Sequence, residues 1–211
     1  MRLFTFLTEK LTPEVKYERE YGATYEQVYN TITKDCSHFL KESGGAIAWR
    51  GSAKKYSPTE PIDPYTARIP RNTDKHVHDY LNKRFHEKFG WKVRSGVFAV
   101  GGDGPSAIYG HKHLFFPIGT FKFVWSPSVP DLFKKPLADP NALNLKGISW
   151  RTYFENKESS FNRLINSYRD SNLIEALKSA NEISFKVKKY YMVKKDFGLM
   201  EYLLKKGLIH I

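Results

Sequence analysis

Apolar and polar positions along this chain follow two periods in turn, and each change of period marks a new element. In "TYEQVYNTITKDCSHFLKESGG" the residues Val28, Ile32, Cys36, Phe39 and Leu40 fall on one helical face. Thr24 and Gln27 stand at capping-box spacing and Gly44-Gly45 supply a left-handed stop, so one helix is predicted across this stretch. A second amphipathic helix is predicted for "DKHVHDYLNKRFHEKFG", with Val77, Leu81, Phe85 and Phe89 inward, Thr73 or Asn72 as its cap and Gly90 beyond its end. "AIAWRG" reads as a short apolar strand, and "RSGVFAVGGDGPSAIYG" as strand, glycine-rich turn and short helical piece. "KHLFFPIGTFKFVWSP" holds one or two strands, with Phe121, Phe123 and Trp125 alternating against Lys122 and Val124.

Two helical segments follow, around Phe161 to Tyr168 and around Leu173 to Leu177. The period then shortens to two: Ile183, Phe185 and Val187 alternate with Ser184, Lys186 and Lys188, predicting a half-buried strand over 183–193. Glu182 opens that strand and shares the parity of its polar residues. "DFGLMEYLLKKGLIHI" predicts a last short helix or strand. The polar, proline-rich stretch 52–73 and "KKPLADPNALNLKG" are predicted loops, the first long enough to serve a functional role. Helices early and mixed elements later define an α+β fold in one domain over 1–211, with a helical part over 1–44 and a core over 45–195.

Composition adds a partner class. Thirty-four Lys and Arg against 22 Asp and Glu leave a formal charge of +12, which favours nucleic acid, nucleotide phosphates or another anionic partner. The single cysteine excludes an internal disulfide and suits a reducing compartment. No apolar run reaches the ~18 residues of a membrane span, and "MRLFTFLTEK" lacks the features of a secretory signal. The expected location is therefore the cytoplasm, with no membrane partner.

Several candidate chemistries are weak when tested residue by residue. "HKH" at 111–113 has no neighbouring Cys, Asp or Glu to complete a metal site, and no Gly-x-Ser-x-Gly elbow is present. "GGDGPSA" lacks the endings of a phosphate loop or a dinucleotide fingerprint. "KVKKYYMVKK" mixes lysine with aromatics as single-strand binders do, but equally describes a solvated strand face with buried tyrosines. Arg68 and Arg71 precede a helix start, where a phosphate can bind.

Three pieces read together are more specific: "AIAWRG", then "GVFAVGGDGPSAIYG", then "NEISF". In this order they resemble the ADP-ribosyltransferase fold family, in particular small phage-encoded mono-ADP-ribosyltransferases. The resemblance implies a split β-sheet core with N-terminal helices and a central cleft that holds NAD as co-substrate. It implies that Arg50 contacts the phosphates or ribose of NAD and that Gly51 keeps the backbone low against the nicotinamide. Phe98 and Ala99 would pass the nicotinamide ribose, Tyr109 matches a following tyrosine, and Arg71 is a further phosphate candidate. Glu182 would be the catalytic glutamate, with Arg50 completing the catalytic pair.

The implied function is a transferase of the glycosyltransferase class. It would cleave the nicotinamide–ribose bond and pass ADP-ribose to a macromolecular acceptor, protein or nucleic acid, in the host cytoplasm if phage-encoded. Phe98-Ala99-Val100 stands where arginine-modifying members carry Ser-Thr-Ser, and Ala180 where they carry Glu or Gln, so the resemblance does not extend to an arginine acceptor. The alternative is a basic nucleic-acid-binding protein without catalysis. If +12 serves a polyanionic acceptor, the loop at 54–71 and Lys186, Lys188 and Lys189 are expected around the cleft.

Overall fold

A computed structural model describes residues 11–65, 73–132 and 148–210. Helices α1 (Pro13–Tyr21), α2 (Tyr25–Asp35) and α3 (Ser37–Ser43) precede strand β1 (Ala48–Ser52), and α4 (Lys75–Phe89) leads into β2 (Val97–Val100). A short α5 (Asp103–Ser106) and a 3-10 turn (Ala107–Tyr109) connect to β3 (His111–Pro117) and β4 (Lys122–Trp125). After α6 (Trp150–Asn156), α7 (Glu158–Asn166) and α8 (Leu173–Lys178) come β5 (Glu182–Lys186), β6 (Tyr190–Lys194) and α9 (Phe197–Lys205). The fold is thus α+β, as the sequence predicts.

The six strands form one antiparallel sheet in the order β4-β5-β2-β1-β3-β6. Its pairing is uneven. β1 meets β3 over five residue pairs and β2 meets β5 over four, whereas β1 and β2 share only Trp49↔Val100. Two three-stranded halves therefore touch at one point and part beyond it. Since each neighbouring pair is antiparallel, β5, β1 and β6 all run in the same direction, and residues 187–189 carry the chain from one half to the other.

One core lies beneath the junction. Phe185 of β5 packs against Phe115 of β3 at 5.1 Å between ring centroids and against Phe39 of α3 at 6.4 Å, and all three are fully buried. A second core, built from Val77, Leu81, Phe85, Val124, Phe161 and neighbours, fixes α4 and α7 to the β4 side. Burial of one such phenylalanine contributes roughly 1.5–3 kcal/mol.

Several expected boundaries move. The first long helix breaks at Cys36, although its apolar stripe continues into Phe39. The carbonyl of Asp35 accepts from Gly119 N at 3.0 Å, and Tyr191 Oη donates to the Asp35 carboxylate at 2.7 Å, so the end of α2 is bound to the sheet. The buried thiol of Cys36 is pushed up to about 12 by desolvation, then by Asp35. Asp74, rather than Thr73 or Asn72, caps α4, its carboxylate accepting from His76 N. The strand over 183–193 becomes β5 and β6, because the crossing interrupts it. Tyr190 and Tyr191 are buried while Lys186, Lys188 and Lys189 are exposed. Arg68, Arg71 and the segment "KKPLADPNALNLKG" lie outside the described residues.

β3 carries a buried titratable group. His113 is 2% exposed, stands between Arg50 of β1 and Lys194 of β6 in register, and places Nδ1 2.8 Å from the His111 carbonyl. Desolvation, aided by the neighbouring positive charges, holds its imidazole down at about 4. The unfolded chain takes up this proton below pH ~6.5, the folded chain only near 4, so the stability present above pH ~6.5 is lost progressively as pH falls towards 4. In urea titrations at neutral pH and near pH ~4.5, His113→Gln should lose about 2 kcal/mol less stability than wild type. Equal losses would place His113 outside this linkage.

Candidate functional site: a cleft where the sheet parts

Trp49, Val100 and Glu182 stand abreast on β1, β2 and β5, because Trp49 pairs with Val100 and Val100 with Glu182. An unbroken β1–β2 ladder would next pair Arg50 with Ala99, but the strands have separated there. The Arg50 side chain spans the gap instead, its Nη1 donating to the Phe98 carbonyl. This commits one of the five guanidinium donors. The wedge left between the strands is a cleft of about 330 Å³, within the range of small-molecule sites.

Glycine makes the walls meet. A Cβ on Gly51 would lie 1.9 Å from the Ser106 carbonyl oxygen and 2.8 Å from Tyr109 Cβ, so only glycine lets the 103–109 segment close over β1. A Cβ on Gly101 would lie 1.8 Å from the Ser179 carbonyl oxygen, so that glycine admits the end of α8 and the approach to β5. The wall over β1 is pinned at Asp103, which accepts from Lys195 at 2.6 Å and Lys112 at 3.1 Å; these hydrogen bonds hold its carboxyl below the usual carboxylate range. Ile108 and Tyr109 are exposed at the mouth.

Glu182 is held at the far wall. Arg94 Nη1 donates to its Oε1 at 2.7 Å, and both side chains are largely buried, at 9% and 19% exposure. The backbone N–H of Glu182 donates to the Pro130 carbonyl at 2.8 Å, which brings Pro130 and Asp131 to the cleft rim. Arg94 is itself fixed. Its N–H donates to Asn82 Oδ1 at 2.8 Å, and its guanidinium lies over the Phe98 ring at 4.6 Å from the centroid. Its Nε is buried without a hydrogen-bond partner among the described residues.

Ser184 shows why the parity of Glu182 matters. Read as a solvent-facing residue, it is 3% exposed, and its hydroxyl donates to the Val93 carbonyl at 2.5 Å. The face of β5 carrying Glu182 and Ser184 is covered by the 3-10 turn Val93–Ser95, and that cover supplies Arg94. Glu182 thus faces away from the main core but into a polar, enclosed setting.

Arg50, Gly51, Phe98, Ala99, Tyr109 and Glu182 all line this cleft. Arg71 lies outside the described residues. Arg94 was not singled out from sequence: nothing in "KVRSGV" distinguishes it among 34 Lys and Arg. Its role arises from a contact across 88 positions. Lys186, Lys188 and Lys189 do not line the cleft, since they follow the buried length of β5 rather than its opening end. Among the described residues no group of three His, Cys, Asp or Glu side chains can hold a metal ion. No helix there is long and apolar enough to cross a membrane. No family model, curated protein or solved structure matches this chain, so the chemistry of the cleft is argued from its own geometry.

Removing one partner of a largely buried ion pair strands the other charge. A double-mutant cycle of Arg94→Met and Glu182→Met is expected to give a coupling energy of about 1–3 kcal/mol by chemical denaturation. The exposed Arg151–Glu155 pair should show no coupling above error. Additivity at Arg94 and Glu182 would contradict the pairing.

Proposed function

We propose that this protein is an NAD-dependent mono-ADP-ribosyltransferase. The observation that carries the reading is the meeting of Arg50-Gly51 on β1, the Phe98–Val100 segment on β2 and Glu182 on β5 at one cleft where the sheet parts. Three stretches widely separated in the chain converge on one cleft, which supports the reading.

The residues present suit a dinucleotide. The planar fork of Arg50 makes paired, charge-assisted contacts to phosphate. Phe98, Ala99 and Ile108 offer apolar wall against a flat ring, and Gly51 lines the same cleft. NAD supplies the glycosidic bond to be broken. Glu182 supplies a fixed negative charge where positive charge develops on the ribose as nicotinamide departs. Arg94 acts as a positioning residue: it orients the carboxylate, so little reorganisation is needed at the moment of reaction. The acceptor nucleophile then bonds to the same ribose carbon and releases its proton, with ADP-ribose transferred and nicotinamide freed.

The alternative of a nucleic-acid-binding protein without catalysis draws on the basic hollow described below. It gives no role to a carboxylate clamped by a largely buried arginine at the wall of the cleft.

Glu182→Gln preserves size and hydrogen bonding while removing charge. Release of labelled nicotinamide should fall on the order of 100- to 1000-fold, with NAD affinity changed only modestly. Arg50→Lys should act mainly on NAD affinity, because a point charge cannot reproduce the fork. Calorimetry, a turnover assay and circular dichroism on the same preparations separate these effects. Wild-type turnover in Glu182→Gln would remove Glu182 from catalysis and the transferase reading with it.

A further inference from the structure

Beside the cleft lies a second hollow of about 580 Å³, enclosed by α1, the residues following β1 and the ends of β3 and β6. Lys16, Lys54, Lys55, His111, Lys194 and Lys195 line it, with Glu20 and Asp196. The acids are engaged. Glu20 lies 3.8 Å from Lys55, and Asp196 caps α9 through Leu199 N while accepting from Tyr25 Oη at 2.8 Å. Lys195 is committed to Asp103. Lys16, Lys54 and Lys194 have no carboxylate within ion-pair distance among the described residues. They come from α1, the segment after β1, and β6.

Tyr17 provides a second, independent observation. It is 2% exposed, lines the hollow and has a hydroxyl without a hydrogen-bond partner among the described residues. A buried donor left unmade costs about 1–3 kcal/mol, and an acceptor oxygen on a ligand would recover it. Lys194 is also partly desolvated, which lowers its pKa from the ordinary lysine value. Each group would gain from the same partner, an oxyanion.

We infer that this hollow docks a single-stranded nucleic acid and presents it to the neighbouring cleft as acceptor. The acceptor role rests on the transferase reading, whereas the docking does not. The two sites share a wall. Residues 49–51 of β1 line the cleft and residues 53–55 line the hollow, while the Lys195 ammonium lies 5.3 Å from the centroid of the Trp49 ring. At ~3.3 Å per residue the nearest members of the two linings, Gly51 and Ala53, are about 7 Å apart along the backbone. Three separated cations match repeated phosphates better than one carboxylate. The partly exposed Tyr21, with the Lys55 ammonium 4.9 Å from its ring centroid, provides an aromatic surface for a base.

The test uses a fluorescein-labelled single-stranded oligonucleotide of mixed sequence, titrated by anisotropy from about 50 to 200 mM salt. Wild type should bind with strong salt dependence. Lys16→Gln/Lys54→Gln/Lys194→Gln should lose on the order of 10- to 100-fold in affinity and reduce the salt slope by about 2. Lys16→Gln/Lys54→Gln, which alters only exposed side chains, should lose affinity in the same direction. Tyr17→Phe should bind several-fold more weakly without losing stability, and a Lys186/Lys188/Lys189→Gln control should bind as wild type. Oligonucleotide affinity unchanged in the triple variant would overturn the site. So would displacement by an acidic peptide as readily as by unlabelled oligonucleotide, or a triple variant that weakens NAD binding instead. Glu182→Gln should keep full oligonucleotide affinity, so a failure of the transferase reading appears in nicotinamide release and leaves the docking result separate. Transfer of labelled ADP-ribose to the oligonucleotide by wild type, and its loss in the triple variant with nicotinamide release intact, supports the acceptor role; transfer only to protein overturns it.

Discussion

β1 and β2 lie side by side yet share one residue pair, Trp49 and Val100, and the site depends on that constraint. A full ladder would continue its hydrogen bonds past the Arg50–Ala99 and Gly51–Phe98 positions and leave no interior space. Parting the strands costs those bonds and opens the wedge. Arg50 recovers part of the loss by donating to the Phe98 carbonyl, so a single arginine both spans the gap and faces its interior. The aromatic cluster around Phe185 carries the load beneath, because dispersion and apolar burial hold the two halves together without strand pairing.

The polar arrangement follows from the same geometry. A carboxylate at the start of β5 would ordinarily be solvated, but the 3-10 turn before β2 folds across that face and brings Arg94 with it. Asn82 of α4 receives the Arg94 amide hydrogen, and Ser184 bonds the turn at Val93, so helix, turn and strand share one network. Such a network is weak evidence of stability, since desolvation offsets much of the Coulombic gain. Its value is geometric: the Arg94 contact fixes the orientation of the Glu182 carboxylate at the cleft wall.

The sequence reveals most where a residue marks the end of an element. Arg50 and Gly51 end an apolar run, and Glu182 opens an alternating one, so local period locates all three. Helix α4 was legible from its stripe and its closing Gly90. The failures share one cause, a contact that no local pattern encodes. The break at Cys36 follows from Gly119 taking the Asp35 carbonyl, and the burial of Ser184 from a turn about 90 positions away. Arg94 carries no local signal for the same reason. The basic hollow was half visible: Lys54 and Lys55 belong to a loop expected to be functional, but their meeting with Lys16 and Lys194 depends on where α1 packs.

The crossing at residues 187–189 has a mechanical consequence. β5 belongs to one half of the sheet and β6 to the other, and three residues connect them, so the chain itself forms a strap between the two jaws of the wedge. The strap is anchored at both ends: Lys186 before it pairs with Lys122 of β4, and after it the Lys189 carbonyl accepts from Ile118 N while Tyr190 exchanges backbone hydrogen bonds with Ile62. Jaws fastened at the Trp49–Val100 pair and again by a short covalent tie cannot swing widely about either point. Among the described residues, the walls that overhang the cleft are the 103–109 segment and the Pro130–Asp131 rim, so access there turns on those walls more than on any yawning of the sheet.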